Sequence, residues 1–594
     1  MIRTPLRPLA RILDARSKGE NPDAIERENL RIRHEQMRDQ ARQRAEGRLL
    51  VLSLFFVVTF CVVGARMGMI ATAEPREPRV DAPGAQIHAA RADIVDRNGN
   101  ILATNFETHA LYAQPPLMVD PSYAAQELAR IFPDLKPEDL LEDFAGKRKF
   151  LWIKRKISPE QMQQVHEIGD PGLLFATREM RLYPNGQLAA HVMGGASFGK
   201  EGVNAAEVIG VAGVEKYFDD YLRDPANGSR PLELSLDLTV QAAAERVLYG
   251  GMRLMNAKGA TSILMDVKTG EVVSVVSLPT FDPNDRPRPA VSGDASDSPL
   301  FNRSVQGVYE LGSTFKIFTV AQAMDLGLVN ETTVIDTKGP LRWGKHSIRD
   351  FRNYGDEMSV AKVIVKSSNI GTARIAQNIG AARQQAFLKR LGMLDTTDFE
   401  IVEAATGRPL LPPKWSELST MTISYGHGLS TSPMHLAAGY AAIANGGFKV
   451  QPTILKQDGP QLGPRIFSDA SSDAARRMLR KVVTEGTASF GEVKGYAVAG
   501  KTGTADKPKR RGGGYYDDKV IATFASIFPA HDPRYVLIVT LDEPVETTGD
   551  EPRRTAGWTA VPVAAEMIRR VAPLLGLRPT VEPLAMDDIK LTSN

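Results

Sequence analysis

"YELGSTFKIFTVAQAMDLG", Tyr309–Gly327, is the stretch on which the fold turns. An extended approach ends at Gly312, a long apolar helix runs on to Gly327, and Ser313 stands at the junction. A hydroxyl at a helix start meets unpaired amides and the positive end of the dipole, which together stabilise developing negative charge. Lys316 follows one turn later on the same side, and burial by the helix disfavours its ammonium, so a neutral amine can serve as base. S-x-x-K alone is a weak signal, for it recurs at Ser197 with Lys200 and at Ser359 with Lys362. The glycines of "GGASFGKEG" argue against a helix at Ser197, and Ser359, opening "SVAKVIVKSSN", reads as a helix N-cap.

Two downstream stretches complete the pattern. "VKSSNIG" sets Ser367 and Asn369 two apart, a hydroxyl able to relay a proton beside an amide able to hold a peptide bond. "GYAVAG" is a small-residue edge strand that leads into Lys501, Thr502, Gly503 and Thr504, where a ligand backbone can approach closely and Gly503 leaves it room. The same tripeptide occurs earlier as Lys268, Thr269 and Gly270, between the β-rich runs "ATSILMDV" and "EVVSVVS". That copy reads as a hairpin tip, with Gly270 supplying a positive φ and Lys268 pointing to solvent. The ordered trio S-x-x-K, S-x-N and K-T-G at domain-scale spacings is far more specific than any member of it.

The rest of the chain bounds the setting. Its 594 residues are 43% hydrophobic, enough for several cores, and a net charge of +3 demands no nucleic-acid partner. Cys61 is the sole cysteine, so no intrachain disulfide or thiolate cluster can form, and without H-E-x-x-H or other ligand spacing neither metal nor cofactor is expected. "LLVLSLFFVVTFCVVGA", Leu49–Ala65, is uncharged and long enough to cross a bilayer, and the arginines before it, Arg31 to Arg48, keep that end cytoplasmic. The expected organisation is a basic cytoplasmic tail (1–48), one uncleaved membrane helix (49–70), a first extracytoplasmic domain (71–231), a large α/β domain (232–577) and a polar tail (578–594). The first domain opens with the linker "EPREPRVDAPGA" and a hairpin around Asn98-Gly99; the second opens at "LELSLDLTVQAAAERVL", whose helix is capped by Asp237.

With these residues placed, the chain resembles the class B, monofunctional penicillin-binding proteins. Beyond the trio, "ADIVDRNGNILA", "RLYPNGQLAAHVMGG", "GVAGVEKYFDDYL" and "ISYGHGLSTSPMHLAAGYAAIANGG" follow in that family's order, from about Arg91 to Pro544. Asn369 and the short segment between His191 and Glu215 are similar to the division-specific branch. Two positions depart from the pattern: Leu311 stands where proline is usual before the Gly-Ser pair, and Ala92 where glycine is usual after Arg91. Leu311 is expected to loosen the approach to the active helix, since proline would fix φ there.

The resemblance implies an α+β transpeptidase domain of the serine β-lactamase type, an antiparallel sheet flanked by helices, after an elongated pedestal (dimerisation-type) domain and one inner-membrane anchor. It implies a periplasmic D,D-transpeptidase that cross-links peptidoglycan stem peptides at the septum and is acylated by β-lactams. Ser313 would be the nucleophile and Lys316 its base. Ser367 and Lys501 would pass a proton to the leaving amine, Asn369 would hold the donor amide, and Thr502, Gly503 and Thr504 would bind the terminal carboxylate. Divisome proteins, including a membrane glycan polymerase, are the implied partners. A D,D-carboxypeptidase or β-lactamase-type hydrolase is the nearest rival, but no glutamate four residues before an asparagine lies between Asn369 and Lys501, and the single Y-x-N, Tyr183 to Asn185, precedes the nucleophile. A non-catalytic β-lactam-binding scaffold is the other rival, opposed by the intact set of catalytic residue types. "KPKRR", Lys507–Arg511, reads as a solvated loop, and His427 in "YGHGL" as a structural or substrate-lining residue.

Overall fold

The computed structural model describes residues 7–72, 91–201, 206–227, 230–509 and 513–580. The described residues fall into two compact units. The first unit comprises those of Met1–Arg79, Leu111–Lys154 and Glu160–Leu174. It carries a 50-residue helix, Asp23–Thr72, into which the cationic segment and the apolar run merge without a break. Within it Leu49–Met67 has a mean hydropathy of 2.4 and no buried residue, so it is long and apolar enough to cross a membrane. The linker and most of the polar tail expected from sequence lie outside the described residues.

In the second unit the predicted hairpin forms around Asn98-Gly99, pairing Ile94 with Ala103 and Val95 with Ile101. Asp96 holds its tip: Oδ1 accepts from the amides of Asn98 and Asn100, both at 2.8 Å, and Oδ2 from the Leu238 amide at 3.0 Å. Leu238 begins the helix α1 (Leu238–Leu254), and Asp237 caps it by accepting from Thr239 and Val240. Ile94–Val95 also pairs in parallel with Leu232–Glu233. Backbone ladders therefore run across the sequence boundary expected at 231/232, and both sides of it belong to one compact unit.

Three signature segments meet in a buried ionic network. Glu215, wholly buried, accepts from Arg91 Nε and Arg181 Nε, each at 2.6 Å, and from the Tyr183 hydroxyl at 3.2 Å. Arg91 Nη1 reaches Asp219 at 2.7 Å. This gives Tyr183 of the stray Y-x-N a structural occupation. Glu215→Ala leaves two buried guanidiniums short of a counter-charge, and we predict a loss of about 3–5 kcal/mol; a thermal midpoint within a degree of the parent would refute it.

The core of this unit is a five-stranded antiparallel sheet of β1 (Gly259–Asp266), β2 (Val272–Leu278), β3 (Ala499–Pro508), β4 (Tyr515–Phe528) and β5 (Tyr535–Asp542), ordered β3-β4-β5-β1-β2. β2 and β5 are buried at every residue, which requires cover on both faces. Helices α1 and Ala560–Leu574 pack on the sheet and each other, while Pro433–Ala444 and Asp469–Glu485 pack together and on strands of the same sheet. The α/β reading with an antiparallel sheet flanked by helices thus holds. The early Lys-Thr-Gly is the β1–β2 hairpin tip: Asp266 Oδ1 accepts from the amides of Lys268 and Thr269, Gly270 has φ +76°, and Lys268 is exposed.

His191 lies in the same unit, with Nε2 3.1 Å from the Pro279 carbonyl, and burial pulls its pKa down to about 4. The folded imidazole stays neutral while the unfolded one gains a proton below about pH 6.5, so stability falls as pH drops from 6.5 towards 4. We predict that this residue alone removes about 2 kcal/mol between pH 7 and pH 5, and that denaturant titrations of His191→Gln show a correspondingly flatter pH dependence. An unchanged slope would contradict it.

Candidate active site

The turn at Ser313 is tighter than the helix expected from sequence: Gly312–Phe315 forms a 3-10 turn, and the regular helix α2 (Lys316–Asp325) begins only at Lys316. Gly312 has φ +57°, and a Cβ there would sit 2.8 Å from the Thr504 carbonyl, so the turn lies directly against β3. Leu311, in the place of the usual proline, has φ −88° and is 1% exposed; its carbonyl accepts from Thr314 Oγ1 at 2.9 Å. Burial and this bond hold the residue where a pyrrolidine ring would otherwise fix φ. From the helix Pro433–Ala444, the Tyr440 hydroxyl donates to the Thr314 carbonyl at 2.9 Å.

Gly503 departs from its expected role. A Cβ at Gly503 would lie 2.2 Å from the Leu311 carbonyl and 2.8 Å from the Thr314 methyl. The space it leaves is filled by the nucleophile turn, which lets β3 approach Ser313, and is not open for a ligand.

Lys316 is fully buried. Its Nζ donates to the Ser367 carbonyl, to Ser367 Oγ at 3.1 Å and to Asn369 Oδ1 at 2.7 Å. Burial, and then the nearby Lys501, hold its pKa well below the usual lysine range, with Asp350 opposing them. Among the described residues no hydrogen bond reaches Ser313 Oγ, so the lysine is directed at the Ser367 loop. Ser367 joins helix α3 (Val360–Lys366) to α4 (Asn369–Ile379) in the left-handed region, φ +61°, unusual for a residue with a Cβ. On its other side Lys501 Nζ donates to Ser367 Oγ at 3.0 Å and to the Thr502 carbonyl at 3.1 Å. Lys501 is also fully buried, which pulls its pKa down to about 7. One hydroxyl is thereby held between two amines that burial makes easy to deprotonate.

These groups border a cleft of ≈ 820 Å³ whose walls include Ser313, Ser367, Asn369, Thr502 and Thr504. Thr502 Oγ1 lies 2.7 Å from Thr487 Oγ1, and Thr504 Oγ1 accepts from the Ala556 amide at 3.0 Å. The other S-x-x-K pairs lie elsewhere: Ser197 is in a strand, and Ser359 is the expected N-cap, accepting from the Lys362 amide at 3.3 Å.

Sequence reasoning missed Asp350. Its Oδ1 accepts from the amides of Asn369 and Ile370 at 2.6 and 3.0 Å, and its Oδ2 from Ser368 Oγ at 2.6 Å, so a carboxylate caps α4 and orients the S-x-N loop. Asn369 Nδ2 donates to the Arg349 carbonyl at 2.9 Å. "RDFRNYGD" carries no motif to announce this, because the contact is closed by a fold across nineteen residues. The basic run also reads differently in three dimensions. Lys507 is part of β3 and donates to Asp542 at 2.6 Å and Glu543 at 2.8 Å, so it is tied down and not a solvated loop residue; Arg510 and Arg511 lie outside the described residues.

The arrangement suits acyl transfer: a serine at a helix start, a buried lysine pair meeting on a second serine, and a K-T-G edge strand. The chain belongs to the penicillin-binding proteins: residues 260–567 match the penicillin binding protein transpeptidase domain and residues 86–234 the penicillin-binding protein dimerisation domain. It is 32% identical to the probable peptidoglycan D,D-transpeptidase FtsI of Caulobacter vibrioides, over 93% of each chain. It is 31% identical to the probable peptidoglycan D,D-transpeptidase PenA of Neisseria gonorrhoeae, over 85% of this chain and 88% of that one. Among solved structures, penicillin binding protein 3 of Mycobacterium tuberculosis, complexed with aztreonam, matches with a TM-score of 0.61 at 26% identity, covering 83% of this chain and 98% of that one.

Proposed function

We propose that this transpeptidase cross-links peptidoglycan stem peptides at the division septum through an acyl-enzyme on Ser313. The observation that carries the reading is Ser367 Oγ, 3.0 Å from Lys501 Nζ and 3.1 Å from Lys316 Nζ, at the edge of the cleft that Ser313 lines. In the first half-reaction Ser313 Oγ bonds to the carbonyl carbon between the two terminal D-alanines, and the C–N bond to the last one breaks. Lys316 takes the hydroxyl proton, and Ser367 with Lys501 delivers a proton to the departing amine. The backbone amides of Ser313 and Thr504 face the developing oxyanion, an interaction worth about 3 kcal/mol per donor. Asn369 holds the donor amide. Thr502 and Thr504 bind the terminal carboxylate on the strand that Gly503 lets close on the nucleophile. An amine from a neighbouring stem peptide then resolves the ester and forms the cross-link.

The domain between residues 232 and 577 carries this chemistry, and β-lactams occupy the same cleft. The span Leu49–Met67 anchors the chain in the inner membrane with its arginine-rich N-terminus cytoplasmic and the catalytic domain periplasmic. Divisome proteins, among them a membrane glycan polymerase, are the partners that such a placement suits. Peptide mapping of the benzylpenicillin-labelled protein by mass spectrometry tests the reading: the adduct is expected on Ser313, and an adduct on any other serine overturns it.

A further inference from the structure

The second half-reaction leaves a proton unaccounted for. A primary amine in the ordinary lysine range arrives at neutral pH as R–NH3+ and must lose two protons to become a secondary amide. The Lys316–Ser367–Lys501 relay can return one of them to Ser313 Oγ as the ester opens. The other must end in solvent, and both lysines of that relay are fully buried.

A second cluster on the same cleft is built to take it. His427, a cleft residue, follows Gly426, whose carbonyl accepts from the Gly312 amide at 3.3 Å, so the imidazole is carried on the segment that abuts the nucleophile turn. Its Nδ1 lies 3.1 Å from Glu310 Oε2, a buried atom with no aligned hydrogen bond of its own. Glu310 Oε1 accepts from the Gly428 amide at 2.7 Å and from the Tyr515 hydroxyl at 3.1 Å, which fixes the carboxylate. The Tyr515 ring stacks on the imidazole with centroids 5.0 Å apart and planes 15° apart. The titratable groups beside the ring are Glu310, Tyr425 from its own segment and Tyr515 from β4, while Asp506 from β3 acts on Tyr515. A carboxylate oxygen 3.1 Å from Nδ1 stabilises an imidazolium once formed, and a ring nitrogen of imidazole is a general base. The side chain is 35% exposed, so a captured proton can leave to water.

We infer that His427, held by Glu310 and Tyr515, is the base that receives the first proton of the acceptor ammonium. Resting on the assignment of Ser313 as the acylated serine, the step balances as follows. R–NH3+ gives one proton to Nε2, the nitrogen bonds to the acyl carbon, and the C–Oγ bond breaks. The second amine proton returns through Ser367 to Ser313 Oγ, and the positive charge passes from the ammonium to the imidazolium and then to solvent. The acceptor class is a primary amine.

The test uses the full chain with a benzoyl-D-alanyl thioester as donor and Nα-acetyl-D-lysine as acceptor, reading the ratio of aminolysis to hydrolysis at about pH 7 and about pH 10. For His427→Gln the ratio is expected to fall about 100-fold at pH 7. The deficit should shrink below about tenfold at pH 10, where much of the amine is already free base. An unchanged ratio, or an equal fall at both pH values, overturns the proposal, because a purely structural role has no reason to vanish as the amine deprotonates. Glu310→Gln, which keeps the imidazole, is expected to show the same convergence from an about tenfold deficit, and it decides the matter if His427→Gln does not fold. Benzylpenicillin labelling of Ser313 in the parent chain is measured alongside. Its absence overturns the nucleophile assignment, whereas labelling with an unshifted ratio in the variants overturns the role of His427 alone.

Discussion

Lys316→Met is expected to lower the rate constant for acylation by benzylpenicillin about 1,000-fold while the protein stays folded. The lysine is buried one turn after Ser313, and its amine bonds to both Ser367 and Asn369. A positioned base contributes typically about 100- to 10,000-fold, and methionine keeps the volume of the stem, so the loss reports chemistry and not a cavity. Its folded-state pKa is held well down, which makes burial of this amine a cost to the fold at neutral pH. The variant should therefore melt no lower than the parent. Stopped-flow acylation together with a thermal scan checks both halves, and a loss of less than about tenfold would remove Lys316 from the role of base.

The second large effect separates two copies of one tripeptide. Lys501→Met is expected to slow acylation about 100-fold, whereas Lys268→Met, on the exposed β1–β2 tip, is expected to leave it within about twofold. Equal effects would show that the wrong copy had been assigned to the site. The pH dependence carries a second signature. Lys501 has a folded pKa of about 7 against an ordinary lysine value near 10.4 in the unfolded chain. Between those values the unfolded chain binds a proton that the folded one does not, so stability rises with pH across that window. Lys501→Met should flatten the rise in denaturant titrations, and an unaltered slope would mean that the amine is not desolvated.

Much of the site was legible in the sequence because its chemistry is local at each point. The spacing of Ser313 and Lys316, the Ser367–Asn369 pair and the small-residue run into Lys501 each state a local geometry, and their order along the chain removes the coincidental copies. The Asn98-Gly99 hairpin, the Asp237 cap and the β1–β2 turn were legible for the same reason: a turn or cap is dictated by the few residues that form it. Leu311 shows the limit of that logic, since its burial is set by the core around it and not by its place before the Gly-Ser pair. Gly503 shows it again, its missing side chain answering to Leu311 and Thr314, which are distant in sequence.

What the sequence by itself determined, then, is the class of chemistry, the α/β core and the apolar span, because motif order, turn residues and hydropathy are properties of short stretches. What only the tertiary structure decided are the contacts that set proton affinities and orientations. Asp350 on the start of α4, the two lysines converging on Ser367, the Glu215 network and the Glu310–His427–Tyr515 cluster all join residues far apart along the chain. A pKa depends on who is buried beside whom, and that is known only once the chain has closed.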